Sequence, residues 1–248
     1  RYKASVLKAA VEGKLTEEWR KENSNVEPAD KLLERIKKER SLRGAERQSK
    51  LRGKEEIASP LARNDNLPEL PKGWVWATVG QLAIKVQYGS SAKTNENPSG
   101  VPVLRMGNIL ENQLKLEDLK YLPKSHSEFP DLFLEKEDLL FNRTNSPELV
   151  GKTAVYMGNP NPCSFASYLI RVQFNNGASS HFVSSFINSA YGRNWIKTVV
   201  SQQVGQANVN GTKLQSLSVP LPSESEQQKI VEEIESRLSV AEEIKATI

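Results

Sequence analysis

The chain has 248 residues and a net charge of +4, and 38% of its residues are hydrophobic. One cysteine excludes a disulfide framework, and two histidines argue against a structural zinc site. No apolar run reaches the roughly 20 residues of a membrane span or forms a signal-peptide core, so we expect a soluble, cytoplasmic protein without a membrane partner.

Charge and composition divide the chain into three parts. The net charge is +5 over residues 1–56, +2 over residues 64–223 and −4 over residues 224–248. Gly, Pro, Asn and aromatic residues concentrate in the middle, whereas both ends have a composition typical of solvated helices. We therefore predict an α+β fold, with one globular domain of mixed α and β structure between helices. The expected segments are a helical spacer at 1–43, a linker at 44–72, the domain at 73–222 and a distal helix at 223–248.

The first part predicts a broken helix. Leu7 and Val11 belong to one apolar face, and Leu32 and Ile36 belong to a second; all four are candidate coiled-coil contacts. No capping residue precedes the first face, so we expect the native chain to continue upstream. The linker that follows carries several basic residues, for which contact with DNA is one interpretation and a solvated segment the simpler one.

The middle part alternates short apolar runs with polar loops. One amphipathic helix is predicted between Ser180 and Val200, where apolar residues recur on one face. The strand candidates are Val101–Arg105, Leu139–Arg143, Thr153–Met157, Tyr168–Phe174 and Leu217–Leu221.

The last part has the clearest local pattern. Ser223 and Glu226 form an S-x-x-E capping box, which predicts the start of a helix. An apolar stripe at helical spacing follows and is typical of a coiled-coil seam; it includes Ile230, Ile234, Leu238 and Ala241. The first helical part is its natural partner, and a helix packed on its own domain is the alternative.

A motif that imitates a phosphate-binding loop lacks its defining residues. Gly151–Thr153 has the Gly-Lys-Thr ending, but Ser146 replaces the first glycine, and Pro147 and Glu148 occupy the loop. A proline and a carboxylate would spoil a cradle of backbone N–H groups, so we do not expect nucleotide binding.

Other catalytic groupings are equally incomplete. Asp131 with Glu135 and Lys136 suggests a nuclease metal site but lacks the one-residue gap that places Glu and Lys on one strand face. Both histidines stand in polar loops, and Cys163 has no basic neighbour that would activate it as a nucleophile. Methyltransferase motifs are absent from the sequence. We therefore predict no catalytic residue, no metal site and no cofactor.

Four polar loops stand between the predicted elements. Their amides and arginines are able to pair bidentately with adenine and guanine, and their hydroxyls and lysines suit phosphates. Each loop alone is an ordinary turn, but four without a catalytic set favour a DNA-recognition surface. The candidate DNA-binding residues are Tyr88, Ser90, Ser91, Lys93, Thr94, Arg105, Asn108, Asn142, Arg143, Thr144, Asn145, Ser146, Lys152, Gln206, Asn208 and Asn210. Arg143 is expected to read a base, and Lys93 and Lys152 to contact phosphates.

Seven short motifs are distributed along almost the whole chain in a consistent order. They are Ser5–Leu15, Leu70–Trp76, Val103–Ile109, Asp138–Ser146, Leu149–Ala154, Gln206–Asn210 and Val219–Pro222. Each is degenerate, but together they are fairly specific. On these grounds, the chain resembles the specificity subunits of type I restriction–modification systems.

The resemblance implies a fold and partners. A full family member carries two target-recognition domains separated by two long antiparallel helices, and each domain reads one half of a split DNA sequence. The helices fix the distance between the halves and dock the methyltransferase subunits, through which the restriction subunit is reached. This chain, with one such domain, resembles the second half of a full subunit, with flanking helices that form an antiparallel coiled coil.

The expected function is that of a non-enzymatic DNA-binding subunit in host defence and DNA methylation. It would bind double-stranded DNA at one half-site and direct methyltransferase and restriction subunits to it; a homodimer through the helices is a further expectation. The alternative is a helical scaffold whose globular domain binds a protein instead of DNA. An independent nuclease or transferase is nearly excluded by the missing catalytic set.

Overall fold

The computed structural model describes residues 2–48, 69–203 and 206–247. The first of these ranges holds three helices: α1 (Tyr2–Val11), α2 (Glu17–Glu22) and α3 (Ala29–Gln48). Because α3 continues to Gln48, residues 44–48 are helical, and the predicted start of the linker at 44 is wrong. The rest of that predicted linker, up to residue 68, lies outside the described residues.

Short strands and helices alternate from residue 75 onward. The elements up to residue 145 are β1 (Val75–Thr78), α4 (Val79–Leu82), β2 (Ala83–Tyr88), β3 (Val101–Leu104), β4 (Ile109–Leu110), β5 (Gln113–Leu114), β6 (Lys120–Leu122), β7 (Leu139–Asn142) and β8 (Thr144–Asn145). The later elements are β9 (Thr153–Val155), β10 (Ser164–Phe165), β11 (Leu169–Phe174), α5 (Ser180–Asn188), α6 (Ala190–Val199), β12 (Ser201–Gln203), β13 (Gln206–Asn208), α7 (Gly211–Ser216), β14 (Ser218–Leu221) and α8 (Glu224–Thr247). In the described ranges, none of the helices combines the length and the apolar character needed to cross a membrane.

The largest sheet is antiparallel and has the strand order β2–β11–β7–β9. Two three-stranded sheets have the orders β10–β3–β6, in which β3 and β10 run parallel, and β12–β13–β8. Strands β4 and β5 form a hairpin. Strands β1 and β14 pair with each other, with Val75 opposite Leu221, so the domain begins and ends at adjacent positions.

The four-stranded sheet is buried on both faces. In β7, Leu139 and Phe141 pack in one apolar cluster with Phe186 of α5, whereas Leu140 packs in a second cluster on the other face. Successive side chains of a strand point to opposite faces. A strand covered on both sides is therefore apolar throughout, which is why β7 reads as a continuous run instead of an alternating one.

All five predicted strands are present, and their ends lie within two residues of those expected. The predicted single helix between Ser180 and Val200 is wrong, because α5 and α6 are separate helices that meet at Ser189. Ser189 is extended (ψ 171°), and its hydroxyl donates to the carbonyl of Phe186 at 2.7 Å, which ends α5.

The apolar stripe of α3 packs on the globular domain. Leu32 and Ile36 are fully buried in the main core cluster, which also holds Val11 at the end of α1. The N–H of Ala29 donates to the carbonyl of Gly73 at 3.3 Å and so ties the start of α3 to the start of the domain. Leu32 and Ile36 contact the domain because the turns around α2 fold α3 back onto β1 and α4, whereas Leu7, the fourth candidate contact, packs with the distal helix.

The distal helix α8 packs on α1 and on α5. Leu7, Phe182, Ile230 and Ile234 share one buried cluster. The first half of α8 thus contacts the first helix and its own domain at once.

The second half of α8 has less cover. Leu238 and Ala241 are half-buried, whereas Val240 and Ile244 are 53% and 56% exposed. Since α1 has 10 residues and α8 has 24, contact with α1 extends along only part of α8. An extended coiled coil therefore stays a prediction.

The predicted capping box is half confirmed. The N–H of Glu226 donates to the Ser223 hydroxyl at 3.2 Å, as an N-cap requires. The Glu226 carboxylate is not used for the cap; it is buried and accepts bonds of 2.8 Å from Thr16, Arg20 and Trp74. We call this group of four residues the Glu226 anchor, since it joins the α1–α2 turn, the start of the domain and the start of α8.

Candidate nucleic-acid interface

Five loops meet beside one end of the four-stranded sheet. We call them the loop cluster, and they comprise residues 88–94, 105–108, 142–146, 166–168 and 207–211. Hydrogen bonds join them in pairs: Ser167 N–H to Ser90 O (2.8 Å), Asn142 Nδ2 to Met106 O (3.4 Å), Val209 N–H to Arg143 O (2.9 Å) and Gly211 N–H to the Tyr88 hydroxyl (2.7 Å). The structure thus brings together four polar loops that were predicted separately, and adds a fifth.

Gly89 lets two of these loops approach closely. A Cβ at this position would lie 2.3 Å from the carbonyl oxygen of Phe165, which no side chain tolerates. The next residue, Ser90, forms a parallel bridge with Ala166, and its N–H donates to Phe165 O at 2.9 Å. The first loop is therefore held against the loop at 166–168 by main-chain bonds.

Arg143 occupies the centre of the loop cluster. Its N–H donates to Tyr168 O at 3.0 Å, and its Nη1 donates to Ser167 O at 3.2 Å. The guanidinium carbon lies 4.9 Å from the ring centre of Tyr88, in a cation–π contact. Among the described residues, no carboxylate lies within 4 Å of this guanidinium, and its buried Nε has no acceptor.

Arg105 and Asn142 share this shortage of partners. Arg105 Nη2 donates to Asp118 O at 2.6 Å, but its buried Nε has no acceptor, and the buried Oδ1 of Asn142 has no donor. Six buried side-chain atoms lack a hydrogen-bond partner in the described part of the chain, and three of them belong to the loop cluster. Buried polar groups are nearly always paired, so these atoms are open to partners that the described residues do not supply.

The predicted site residues differ in exposure. Those with exposed or half-buried side chains are Tyr88, Ser91, Lys93, Thr94, Arg105, Arg143, Asn145, Ser146, Lys152, Asn208 and Asn210. Asn210 also caps α7, since its Oδ1 accepts from Lys213 N–H at 2.9 Å. The side chain of Gln206 lies outside the described residues, although its backbone forms part of β13.

Four predicted site residues are buried supports of the loops. Asn108 donates to the carbonyls of Lys115 and Glu117, and Thr144 accepts from Asn208 Nδ2 at 2.6 Å. The other two are Ser90 and Asn142, which are 3% and 1% exposed. The side chains of all four are buried in the domain.

Sequence reasoning missed the loop at 166–168, which supplies Ser167 and Tyr168 beside Arg143. It also missed Lys213, whose Nζ donates to Val199 O (2.6 Å) and to the Ser201 hydroxyl (2.7 Å). A signal was available: the sequence holds no Asp or Glu between Glu148 and Glu224. Such a stretch builds a surface without the carboxylates that would repel a polyanion.

The nuclease-like grouping serves as a structural anchor. Arg171 is 1% exposed; its Nη1 donates to Phe133 O at 2.5 Å and to Asp138 Oδ2 at 3.3 Å, and its Nη2 donates to Asp131 O at 3.0 Å. Burial raises the pKa of Asp138, despite the hydrogen bond from Glu135 N–H and the charge of Arg171. Over the described ranges, no group of three or more His, Cys, Asp or Glu side chains is placed to hold a metal.

One Ser–His–Glu group lies beside the first loop, but its geometry does not suit nucleophilic catalysis. The Ser90 hydroxyl and His126 Nε2 both contact the same oxygen of Glu128, His126 at 2.9 Å. These hydrogen bonds, that of Ser90 first, hold the pKa of Glu128 below its usual value. A catalytic histidine would instead lie between the hydroxyl and the carboxylate, with one ring nitrogen to each.

Cys163 is also unsuited to nucleophilic chemistry. The side chain is fully buried, and burial raises the pKa of its thiol to about 12. The reactive thiolate is therefore scarce at neutral pH.

The comparisons with known proteins agree with this geometry. The family "Type I restriction modification DNA specificity domain" matches residues 71–248. The chain is 27% identical to the EcoKI specificity subunit of Escherichia coli (strain K12), over 100% of this chain and 44% of that protein. It is 26% identical to the putative MjaX specificity subunit of Methanocaldococcus jannaschii, over 68% of this chain and 40% of that protein. The chain thus spans about two fifths of the length of these relatives.

Two solved structures share the fold. A structure concerned with complex assembly and conformational transition of the type I R-M system matches with a TM-score of 0.57 at 17% identity, over 88% of this chain and 52% of that one. The HsdS subunit of Thermoanaerobacter tengcongensis matches with a TM-score of 0.53 at 17% identity, over 88% of this chain and 50% of that one. The family match covers well over half of the residues, and this chain belongs to the family of type I restriction modification DNA specificity domains.

Proposed function

We propose that this chain is a non-catalytic subunit that reads one half of a two-part DNA sequence through the loop cluster. The observation that carries the proposal is Arg143, a half-buried guanidinium without a carboxylate partner, held among loops that have unpaired polar atoms. A protein fold seldom buries an arginine in this state unless a ligand supplies the acceptors.

The chemistry of the exposed side chains fits a nucleic acid. Arg143 and Arg105 present guanidinium groups, which pair bidentately with guanine, and Asn145 and Asn208 present amides, which pair with adenine. At the edges of the same region, Lys93 is exposed and Lys152 is half-buried. Both side chains suit phosphates. Ser90, Asn108, Asn142 and Thr144 are buried and are proposed to fix the loops and not to contact DNA.

The residue composition of the surface favours DNA over a protein partner. Protein-binding sites have a core of large apolar side chains with a polar rim. In the loop cluster the exposed large side chains are two tyrosines and Met106, scattered among amides and cations. Protein binding by this face is kept as the alternative that the experiment must exclude.

The partners and the domain bounds extend the proposal. The recognition domain is proposed to span residues 73–222, with α3 packed against it. Helices α1 and α8 are proposed to dock the methyltransferase subunit, which brings the restriction subunit. The uncovered half of α8, with Val240 and Ile244, supports such docking or a homodimer.

A selection from random DNA duplexes tests the function directly. We expect one short sequence to be enriched, and log K for that sequence to fall with log salt by roughly 0.9 per phosphate contacted. A scrambled duplex serves as the control and should bind more weakly at every salt concentration. Selection without an enriched sequence, together with an affinity that does not respond to salt, would favour the protein-binding scaffold.

A further inference from the structure

The backbone of Arg143 is fixed on both sides. Its N–H donates to Tyr168 O at 3.0 Å, and its carbonyl accepts from Val209 N–H at 2.9 Å. The first bond leads to the start of β11 and the second to the end of β13, so Arg143 stands where two sheets meet. The origin of its side chain is therefore set by the fold, and only the direction of the guanidinium is left to be determined.

Ser167 O and Tyr88 both contact the guanidinium, and Tyr88 is the side chain that does so. The guanidinium carbon lies over the Tyr88 ring, 4.9 Å from its centre, and the Tyr88 hydroxyl accepts the N–H of Gly211 at 2.7 Å, at the first turn of α7. A Cβ on Gly211 would lie 3.1 Å from that hydroxyl, so a glycine at 211 leaves room for the contact. The ring is thus held at both ends, by strand β2 through its backbone and by α7 through its hydroxyl.

We propose that Tyr88 is a positioning residue, which holds the guanidinium of Arg143 so that its Nη edge meets a guanine of the half-site. The proposal rests on the proposed function. The Tyr88 ring lies against the guanidinium in a cation–π contact, and Ser167 O takes one hydrogen of Nη1. The second hydrogen of Nη1 and both hydrogens of Nη2 are left, and Nη2 has no hydrogen-bond partner among the described residues.

The remaining donors form a planar fork. Guanine presents O6 and N7 in one plane on the major-groove edge, which is the pair of acceptors that such a fork matches. A phosphate also presents paired acceptors, but a cation held on a flexible chain serves that contact as well. A rigid stack gives an advantage only where the direction of the fork matters, and this favours a base.

The first test compares variants on the duplex selected by the unaltered chain. The measured quantity is the ratio of affinities for the selected site and for the same site with one G·C pair replaced. We expect a ratio of roughly 5- to 150-fold for the unaltered chain. Tyr88→Leu should lower this affinity ratio to within about twofold of the ratio for Arg143→Ala. Tyr88→Phe keeps the ring and should keep most of the affinity ratio.

Two further measurements distinguish a positioning role of Tyr88 from a structural role. The double variant should lose no more discrimination than Arg143→Ala alone, because the two residues act as one unit. The salt slope of Tyr88→Leu should equal that of the unaltered chain, since no charge is lost. Tyr2→Leu is the matched control, because this tyrosine is 53% exposed on α1, and it should leave the ratio unchanged.

Replacement of single guanines by 7-deazaguanine identifies the ligand. It should weaken binding by the unaltered chain at one position and have no effect at that position on Tyr88→Leu or Arg143→Ala. If a methylphosphonate substitution has this effect instead, Arg143 binds a phosphate and the proposal is overturned. Equal discrimination by Tyr88→Leu and the unaltered chain would also overturn it, whereas a selection that enriches no sequence would refute the proposed function itself.

Discussion

The Glu226 anchor and the loop cluster treat buried polar groups in opposite ways. In the anchor, a carboxylate that is almost fully buried receives donors from Thr16, Arg20 and Trp74, all at 2.8 Å. In the loop cluster, Arg105 and Arg143 have no carboxylate partner within the described ranges, and the buried Nε of each has no acceptor there. An unpaired buried donor costs about 1–3 kcal/mol. The anchor thus pairs a buried carboxylate with three donors, whereas the surface where we propose that DNA binds has buried polar atoms without partners.

Removal of the anchor carboxylate should have the largest effect on stability. Glu226→Ala leaves Arg20 without its ion-pair partner and Trp74 Nε1 without an acceptor, so we expect a loss of about 3–5 kcal/mol in the free energy of unfolding. Urea denaturation followed by tryptophan fluorescence measures it. Glu226→Gln keeps an acceptor oxygen and should lose less. Equal, small losses for both variants would mean that the anchor contributes little.

Two isoleucines of α8, both beyond Glu226, compare its buried first half with its exposed second half. Ile234 is 6% exposed in the cluster with Phe182, so Ile234→Asp should destabilise the domain itself by about 3 kcal/mol. Ile244 is 56% exposed, and Ile244→Asp should change stability by less than about 0.5 kcal/mol. Light scattering adds a second measurement: if the uncovered half of α8 joins two copies, Ile244→Asp should dissociate them.

Arg143→Ala should have little effect on stability and a large effect on DNA discrimination, unlike substitutions in the Glu226 anchor. Because the Arg143 guanidinium makes one hydrogen bond, to Ser167 O, and its buried Nε has no acceptor among the described residues, we expect a change in unfolding free energy below about 1 kcal/mol. Discrimination at one base pair should fall by about 1–3 kcal/mol. A large loss of stability with unchanged discrimination would remove the contrast between the two regions.

Lys93→Gln should affect all DNA sequences alike. Lys93 is exposed in the first polar loop, so its loss should lower the salt slope by roughly 0.9 without changing the preferred sequence. Lys229→Gln on α8 removes the same charge away from the loop cluster and is the control. An equal reduction of the salt slope by Lys93→Gln and Lys229→Gln would indicate a general effect of net charge.

The thiol of Cys163 reports whether the loop-bearing half of the domain opens separately. Cys163 is fully buried, and its pKa is raised to about 12. The unfolded chain ionises near the ordinary thiol value while the folded chain does not, so stability should fall as the pH rises from about 8.5 towards 12. Cys163→Ala should make that fall shallower. Alkylation at pH 8 that is much faster than global unfolding would show local opening beneath the loops.

Sequence patterns predicted the parts of the fold that depend on neighbouring residues. Strand β7 and the start of α8 follow from an apolar run and from Ser223 as N-cap, and both are present. Two-residue strands such as β8 carry no periodic signal, and a break such as that at Ser189 is invisible while the apolar face continues. The α3 stripe was recognised, but its partner depended on a fold-back that no local pattern specifies.

The candidate site shows the same division. Composition identified Arg143 and the polar loops, because residue type limits what a side chain is able to bind. The stack of Arg143 on Tyr88 joins residues that are far apart in the chain, and so does the contact of Tyr88 with Gly211. The burial of Asn108 and Thr144 likewise depends on the finished fold. Residue type therefore predicted which loops matter, and only tertiary structure separated exposed side chains from supports.

The pairing of β1 with β14 has a consequence for how such a protein changes over time. Val75 lies opposite Leu221, so the chain enters and leaves the globular domain at neighbouring points next to the Glu226 anchor. A different domain with the same spacing between its ends, and with an apolar face that packs on α1 and α8 as Phe182 does, is therefore insertable by recombination. The recognition loops are therefore able to change during evolution while helices α1 and α8 are kept.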